Sequence, residues 1–459
     1  MEQITKPHCG ARLDRLPDCR WHSSMFAIVA FGLLVCWSNA VGGLILAQLK
    51  ALGWTDNSTT ATFSAITTAG MFLGALVGGI IGDKTGRRNA FILYEAIHIA
   101  SMVVGAFSPN MDFLIACRFV MGVGLGALLV TLFAGFTEYM PGRNRGTWSS
   151  RVSFIGNWSY PLCSLIAMGL TPLISAEWNW RVQLLIPAIL SLIATALAWR
   201  YFPESPRWLE SRGRYQEAEK VMRSIEEGVI RQTGKPLPPV VIADDGKAPQ
   251  AVPYSALLTG VLLRRVILGS CVLIAMNVVQ YTLINWLPTI FMTQGINLKD
   301  SIVLNTMSMF GAPFGIFIAM LVMDKIPRKT MGVGLLILIA VLGYIYSLQT
   351  SMLLITLIGF FLITFVYMYV CYASAVYVPE IWPTEAKLRG SGLANAVERI
   401  SGIAAPYAVA VLLSSYGVTG VFILLGAVSI VVAIAIATIG IETKGVSVES
   451  LSIDAVANK

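Results

Sequence analysis

Twelve apolar runs, each about twenty residues long or more, limit what this 459-residue chain can fold into. They cover 25–49, 60–82, 89–107, 112–137, 151–174, 181–201, 264–291, 301–323, 331–349, 352–378, 388–413 and 419–440. A bilayer core about 30 Å thick takes about 20 helical residues to cross. In lipid every backbone N–H and C=O must be bonded within the protein, so helices are expected. Composition agrees: 56% of residues are hydrophobic and only 13% are charged, against about 25% in soluble domains. Mean hydropathy is +0.71. A soluble enzyme and a disordered chain are both excluded.

The net charge of +8 sits in short loops between the runs. That is a membrane pattern rather than a nucleic-acid footprint, so no nucleic-acid partner is expected. Lys84, Arg87, Arg88, Arg143, Arg145, Lys325, Arg328, Lys329, Lys387 and Arg389 fall on one side, while the opposite loops hold little beyond Lys50, Arg181 and Lys299. The expectation is a multi-pass membrane protein with both termini in the cytoplasm. The seven cysteines are scattered and imply no disulfide framework. His8, Cys9, Cys19 and His22 fit no zinc spacing. Phosphate-loop, His-Glu-x-x-His and Gly-x-Ser-x-Gly motifs are absent. No metal, cofactor or enzymatic activity is expected.

One long break, 202–263, carries an amphipathic piece near 215–231 and a Pro/Gly/Asp-rich tract at 232–253. The expected organisation is a tail (1–24), a six-helix bundle (25–201), a cytoplasmic linker (202–263), a second six-helix bundle (264–440) and a tail (441–459). The halves repeat. Asp83 in its basic loop recurs as Asp324, 241 residues on. Glu138-x-x-Pro141 with Arg145 recurs as Glu380-x-x-Pro383 with Arg389, the glutamate 242 residues on. Two unrelated motifs sharing one offset indicate duplication. Duplicated six-helix halves with a site between them are an architecture of secondary transporters.

Gly79-x-x-x-Asp83-x-x-Gly86-Arg87-Arg88, Arg118-x-x-x-Gly122-x-Gly124, Pro203-Glu204-Ser205-Pro206-Arg207-Trp208, Pro379-Glu380-x-Trp382-Pro383-Thr384 and Glu442-Thr443-Lys444-Gly445 together resemble the major facilitator superfamily. They are most similar to its sugar-porter and metabolite:proton symporter branches, over nearly the whole chain. The resemblance implies an all-α membrane fold, with twelve helices in two pseudo-symmetric six-helix bundles, working by alternating access. In sugar porters the arginine matching Arg118 partners an aspartate in helix one. Here Cys36-Trp37-Ser38-Asn39-Ala40-Val41 puts Ser38 where that acid stands. Sugar porters also carry a Gln-Gln pair where this chain has Cys271-Val272, which argues against hexoses. Organic-anion members have a helix-eleven arginine at their binding site, as Arg399 would be.

Several residues could carry the chemistry. Arg399 lies near the middle of run eleven beside Asn395 and Glu398, and its planar fork suits a carboxylate. Asn277, Gln280, Tyr281 and Asn285 form a polar stripe on run seven, a cavity lining or a helix contact. Asn305, Asn39, and Asn157 with Trp158 are further cavity candidates. Arg118 either faces a substrate anion or anchors at the interface. Direct pairing with Glu95 is not expected, because the two enter from opposite faces. Glu95 and His98, at i and i+3, form either a proton relay or a helix–helix contact. Glu398 is a second proton-carrier candidate. Asp83, Arg87, Arg88, Glu138, Arg145, Asp324, Glu380 and Arg389 read as charge latches gating a two-state motion, with Glu138–Arg145 and Glu380–Arg389 as pairs. The alternative is simple snorkelling. Ile326-Pro327 in place of the first loop's x-Gly suggests a weaker second latch.

The combined reading is a monomeric secondary transporter of a small organic acid, coupled to protons. A sugar or neutral-solute facilitator or exporter is the alternative. A sensor without net flux belongs to another class.

Overall fold

A computed structural model describes residues 7–17, 19–140, 145–240, 253–323, 325–383 and 386–444. Asp324, the Arg145 side chain and the two chain ends lie outside the described residues. The helices are α1 (Cys9–Asp14), α2 (Arg20–Val35), α3 (Gly42–Ala51), α4 (Asn57–Thr85), α5 (Arg87–Ala106), α6 (Met111–Tyr139), α7 (Arg145–Gly156), α8 (Ser159–Leu170), α9 (Ala176–Tyr201), α10 (Pro206–Ser211), α11 (Tyr215–Thr233), α12 (Tyr254–Leu257), α13 (Gly260–Thr293), α14 (Leu298–Met309), α15 (Gly311–Val322), α16 (Arg328–Ser347), α17 (Met352–Val370), α18 (Val378–Glu380) and α19 (Lys387–Ile439). A π-helical segment, Cys371–Tyr377, joins α17 to α18. The described residues hold no strand.

Each of the twelve apolar runs falls on helix. Nine stretches among the described residues are long and apolar enough to cross a bilayer. The differences from the expected spans are breaks. Run one divides into α2 and α3 around non-helical residues 36–41. Run five divides at Asn157–Trp158 and run eight at Phe310. Runs eleven and twelve join in α19, interrupted at Gly417, whose φ of 65° suits a residue without Cβ. Inside a membrane such breaks free backbone groups that the protein must satisfy itself.

The chain forms two compact units, one of Met1–Ser38, Ala69–Ser159 and Leu184–Gly246, the other of Asn39–Thr68, Tyr160–Gln183 and Lys247–Lys459. In the first unit α4 and α6 pack at backbone contact. A Cβ on Gly74 would fall 2.0 Å from the Val123 carbonyl oxygen, and one on Gly126 would fall 2.1 Å from that of Met71. Small residues replace hydrophobic drive here, since lipid is as apolar as leucine. In the second unit the same packing recurs 241 residues on. A Cβ on Gly315 of α15 would fall 2.2 Å from the Thr364 carbonyl oxygen of α17.

The expected tail and linker are not independent strands of chain. Cys9, Leu13 and Leu16 bury against Trp208, Leu209, Met222, Ile225 and Val229 of α10 and α11. Arg12 grips Glu226 at 2.6 and 3.0 Å, and Arg15 joins at 2.6 Å. Burial pushes the Glu226 carboxyl up, but these two arginines outweigh it and hold the group below the usual glutamate range. In the second unit α3 lies against α13, where a Cβ on Gly43 would fall 2.4 Å from the Ile284 carbonyl oxygen.

Gly74→Val and Gly315→Val force backbone apart at equivalent places. Each is expected to destabilise by about 1–3 kcal/mol or more, read as a lowered thermal midpoint of the purified protein. Gly79→Val, at a position with open space around its Cβ, should leave the midpoint close to wild type.

Candidate functional site

Arg399 sits in α19, in the second unit. Its Nε lies 3.5 Å from Oε2 of Glu398, which is buried, while about three-tenths of the Arg399 side chain stays open (29%). Asn277 of α13, fully buried, donates its amide to Glu398. Tyr281, one turn on, lies beside Arg399. Gln280 and Tyr160 face the Tyr367 hydroxyl, and the Tyr160 and Tyr367 rings meet edge-on at 5.5 Å. Asn305 donates to Ser164 Oγ at 3.1 Å. The expected polar stripe of run seven thus converges with residues of runs five, eight, ten and eleven. Glu398 is the acid ion-paired to Arg399 among the described residues. Glu398 and the Tyr281 hydroxyl engage part of a guanidinium that carries five N–H donors, a fork that suits a planar anion.

Not every candidate joins this cluster. Asn395 is exposed and bonds its own helix at Ser391 O, 2.8 Å away. Asn285 is buried under Gly43 where α3 meets α13. Asn157 bonds Ser153 O in its own helix. Asn39 is half-buried in the run-one break and its carbonyl takes the Gly42 N–H at 3.1 Å.

The first unit holds a second buried assembly. Arg118 (1% exposed) donates to the Ser38 carbonyl at 2.7 Å. Ser38 lies in the break, where its carbonyl lacks a helical partner. The Ser38 hydroxyl meets His98 Nε2 at 2.7 Å. His98 Nδ1 stands 3.5 Å from Glu95 Oε2, both side chains fully buried. Arg118 and Glu95 are therefore linked through Ser38 and His98 rather than paired directly. Gly124 of α6 lets this happen: a Cβ there would crowd the His98 backbone at 3.0 Å.

The latch residues form a repeated network; the expected Glu138–Arg145 pair falls outside the described residues, because the Arg145 side chain does. Glu138 binds Arg87 at 2.9 Å, and Arg87 also binds Asp83 at 2.7 Å. Glu380 binds Arg328 at 3.0 and 3.1 Å, not Arg389, whose guanidinium lies over the Tyr254 ring. Arg88 donates to the Trp199 carbonyl. Sequence reasoning missed four members. Glu204 accepts the Arg87 and Arg88 backbone N–H groups at the start of α5, and Ser205 donates to Glu138. Glu442 accepts the Arg328 and Lys329 N–H groups at the start of α16, and Thr443 donates to Glu380. Glu204-Ser205 and Glu442-Thr443 stand 238 residues apart, a repeat visible in the sequence. Their carboxylates cap helix N-termini, where the orphan donors and the dipole favour an anion. Pro327 stands where the first loop has Gly86 and takes the N-cap of α16 (φ −57°). The Arg328–Glu380 contact beside it is bidentate.

Residues 24–455 match the family described as Sugar (and other) transporter. The chain belongs to that family, within the major facilitator superfamily. It is 99% identical to the "Putative metabolite transport protein YdjK" of Escherichia coli, over the whole of both chains. It is 44% identical to the inner membrane metabolite transport protein YdjE of the same organism, over 98% of this chain and 99% of that one. The niacin transporter NiaP of Acinetobacter baylyi is 26% identical over 96% and 99%. A partially occluded, inward-open structure of the E. coli xylose transporter XylE superposes with a TM-score of 0.72 at 18% identity, over 93% and 99%. This family is one of transporters, not enzymes. The chain is a multi-pass inner-membrane metabolite transporter.

Glu442→Ala removes the cap on α16 and is expected to destabilise by about 0.5–2 kcal/mol at pH 7. Burial raises the Glu442 carboxyl, but the N–H donors of Arg328, Lys329 and Lys444 and the Arg328 charge outweigh it, so the net shift is downward. A depressed folded value contributes stability above the unfolded value and loses it as pH falls. The wild-type advantage in thermal midpoint should therefore shrink as pH falls below about 4.3.

Proposed function

We propose that this transporter carries a small organic acid together with protons, with Arg399 as the clamp for the substrate carboxylate. The observation that carries the reading is an Arg399 side chain about three-tenths open (29%) and tied to a single buried acid. A substrate carboxylate competes with Glu398 for that cation, and Asn277 keeps Glu398 bonded when it yields. Tyr281, Gln280 and Asn305 offer hydroxyl and amide groups to the rest of the substrate. The niacin named for one relative is itself a small aromatic carboxylic acid, which supports the same class.

Twelve spans, two six-helix bundles (25–201 and 264–440) and two cytoplasmic termini complete the proposal, on charge distribution and the repeated latches. The latches at Arg87–Glu138 and Arg328–Glu380 would hold one state of an alternating-access cycle. The protein is proposed to work as a monomer. A neutral sugar is the second reading, favoured by the family's description.

The test is uptake into proteoliposomes of a panel of small carboxylic acids and pentoses and hexoses, with and without an inward proton gradient. An acid should accumulate with the gradient, and Arg399→Gln should lose at least ten-fold in uptake. A sugar moving equally in wild type and Arg399→Gln, indifferent to the gradient, contradicts the assignment.

A further inference from the structure

The proton-carrying group is a separate question from the substrate clamp, and it rests on the proton-coupled reading above. Two facts converge on the first unit. Ser38 sits in the helix break, where the chain passes from one compact unit to the other between Ser38 and Asn39. Its two polar groups contact different partners, the hydroxyl His98 and the carbonyl Arg118.

We propose that His98, held between Ser38 and Glu95, binds the transported proton and reports its presence to the break in helix one through the Ser38 hydroxyl. Unprotonated, the imidazole keeps one proton, on Nδ1 facing the Glu95 carboxylate. Nε2 then accepts from the Ser38 hydroxyl. When a proton arrives at Nε2, the imidazolium donates at both ends, to Glu95 and to Ser38 Oγ. The serine hydroxyl has to turn its own hydrogen elsewhere. No bond is made or broken apart from N–H, and the positive charge gained stays between Glu95 and Ser38. The carbonyl of the same serine stays on Arg118, so the turn occurs at a residue pinned on its other side.

The surroundings suit a proton site rather than a static contact. Both Glu95 oxygens and His98 Nδ1 are buried without a hydrogen bond in this state. Three and a half ångströms is an ion-pair distance that can tighten on charging. The titratable and charged side chains facing the pair, among the described residues, are Glu95 on α5, Cys36 at the end of α2 and Arg118 on α6. Arg118 opposes a second positive charge and Glu95 favours it. Histidine is the one side chain whose ordinary titration falls near neutrality. The chain has only three histidines, so this one can be watched by itself.

The experiment uses ¹⁵N-histidine-labelled full-length protein carrying His8→Gln and His22→Gln, in detergent, with NMR from about pH 5 to pH 8. It needs no substrate, so it stands whether or not the anion reading does. The expected result is one titration step of the His98 nitrogens, moved to lower pH by at least one unit in Glu95→Gln. In proteoliposomes, His98→Gln should abolish gradient-driven accumulation of the panel solute that wild type concentrates, while keeping its exchange at equal pH within about three-fold. Either of two results overturns the proposal. One is a His98 that keeps a single neutral tautomer across the range. The other is a His98→Gln protein that still accumulates solute with the gradient, above all if Glu398→Gln does not.

Discussion

A charge within a hydrocarbon core has to be matched by the protein, because no water is there to do it. This chain buries Arg118, Glu95 and Glu398 almost completely, and the arrangement of the membrane helices follows from how those three are matched. Arg118 donates to the Ser38 carbonyl in the break of helix one. Glu95 is faced by His98. Glu398 is held between an amide and a partly open arginine. Removing a partner from a buried charge is the costly direction of change.

The break in helix one is therefore the hinge of the account. Residues 36–41 leave the helical pattern inside a membrane segment, a state tolerated only where the protein supplies partners for the freed backbone groups. Arg118 takes the Ser38 carbonyl, and His98 meets the hydroxyl of the same serine. The Gly74–Val123 and Gly124–His98 approaches bring α4, α5 and α6 close enough for that supply. At the ends of the helices, carboxylates at α5 and α16 do the equivalent work for orphan N–H groups.

Much of this was legible in the sequence, because a membrane span is written in run length and charge placement rather than in subtle propensities. The twelve runs, the duplicated motifs and the mid-run Arg399 all follow from those two signals. Three kinds of feature did not. Helix breaks leave no mark where the flanking residues stay apolar, as at Phe310. Arg87 and Arg328, which bind Glu138 and Glu380, lie some 50 residues before them, and spacing along one segment pointed Glu380 to the nearer Arg389 instead. The link from Arg118 to Glu95 needed two intermediates, and a depth estimate along straight helices rightly excluded direct contact without revealing them. The Glu204-Ser205 and Glu442-Thr443 caps could have been found, since they repeat at nearly the offset of the other motifs.

The central claim is that Arg399 recognises a carboxylate, and an acid compared with its own amide isolates that charge. Thermal stabilisation of purified wild type and Arg399→Gln by each panel carboxylic acid and by its own amide gives the comparison directly. At least one acid is predicted to raise the wild-type midpoint and to leave Arg399→Gln unmoved, with its amide inert on both. Stabilisation by no acid in the panel, equal stabilisation by acid and amide, or an undiminished acid effect in Arg399→Gln, would contradict the account.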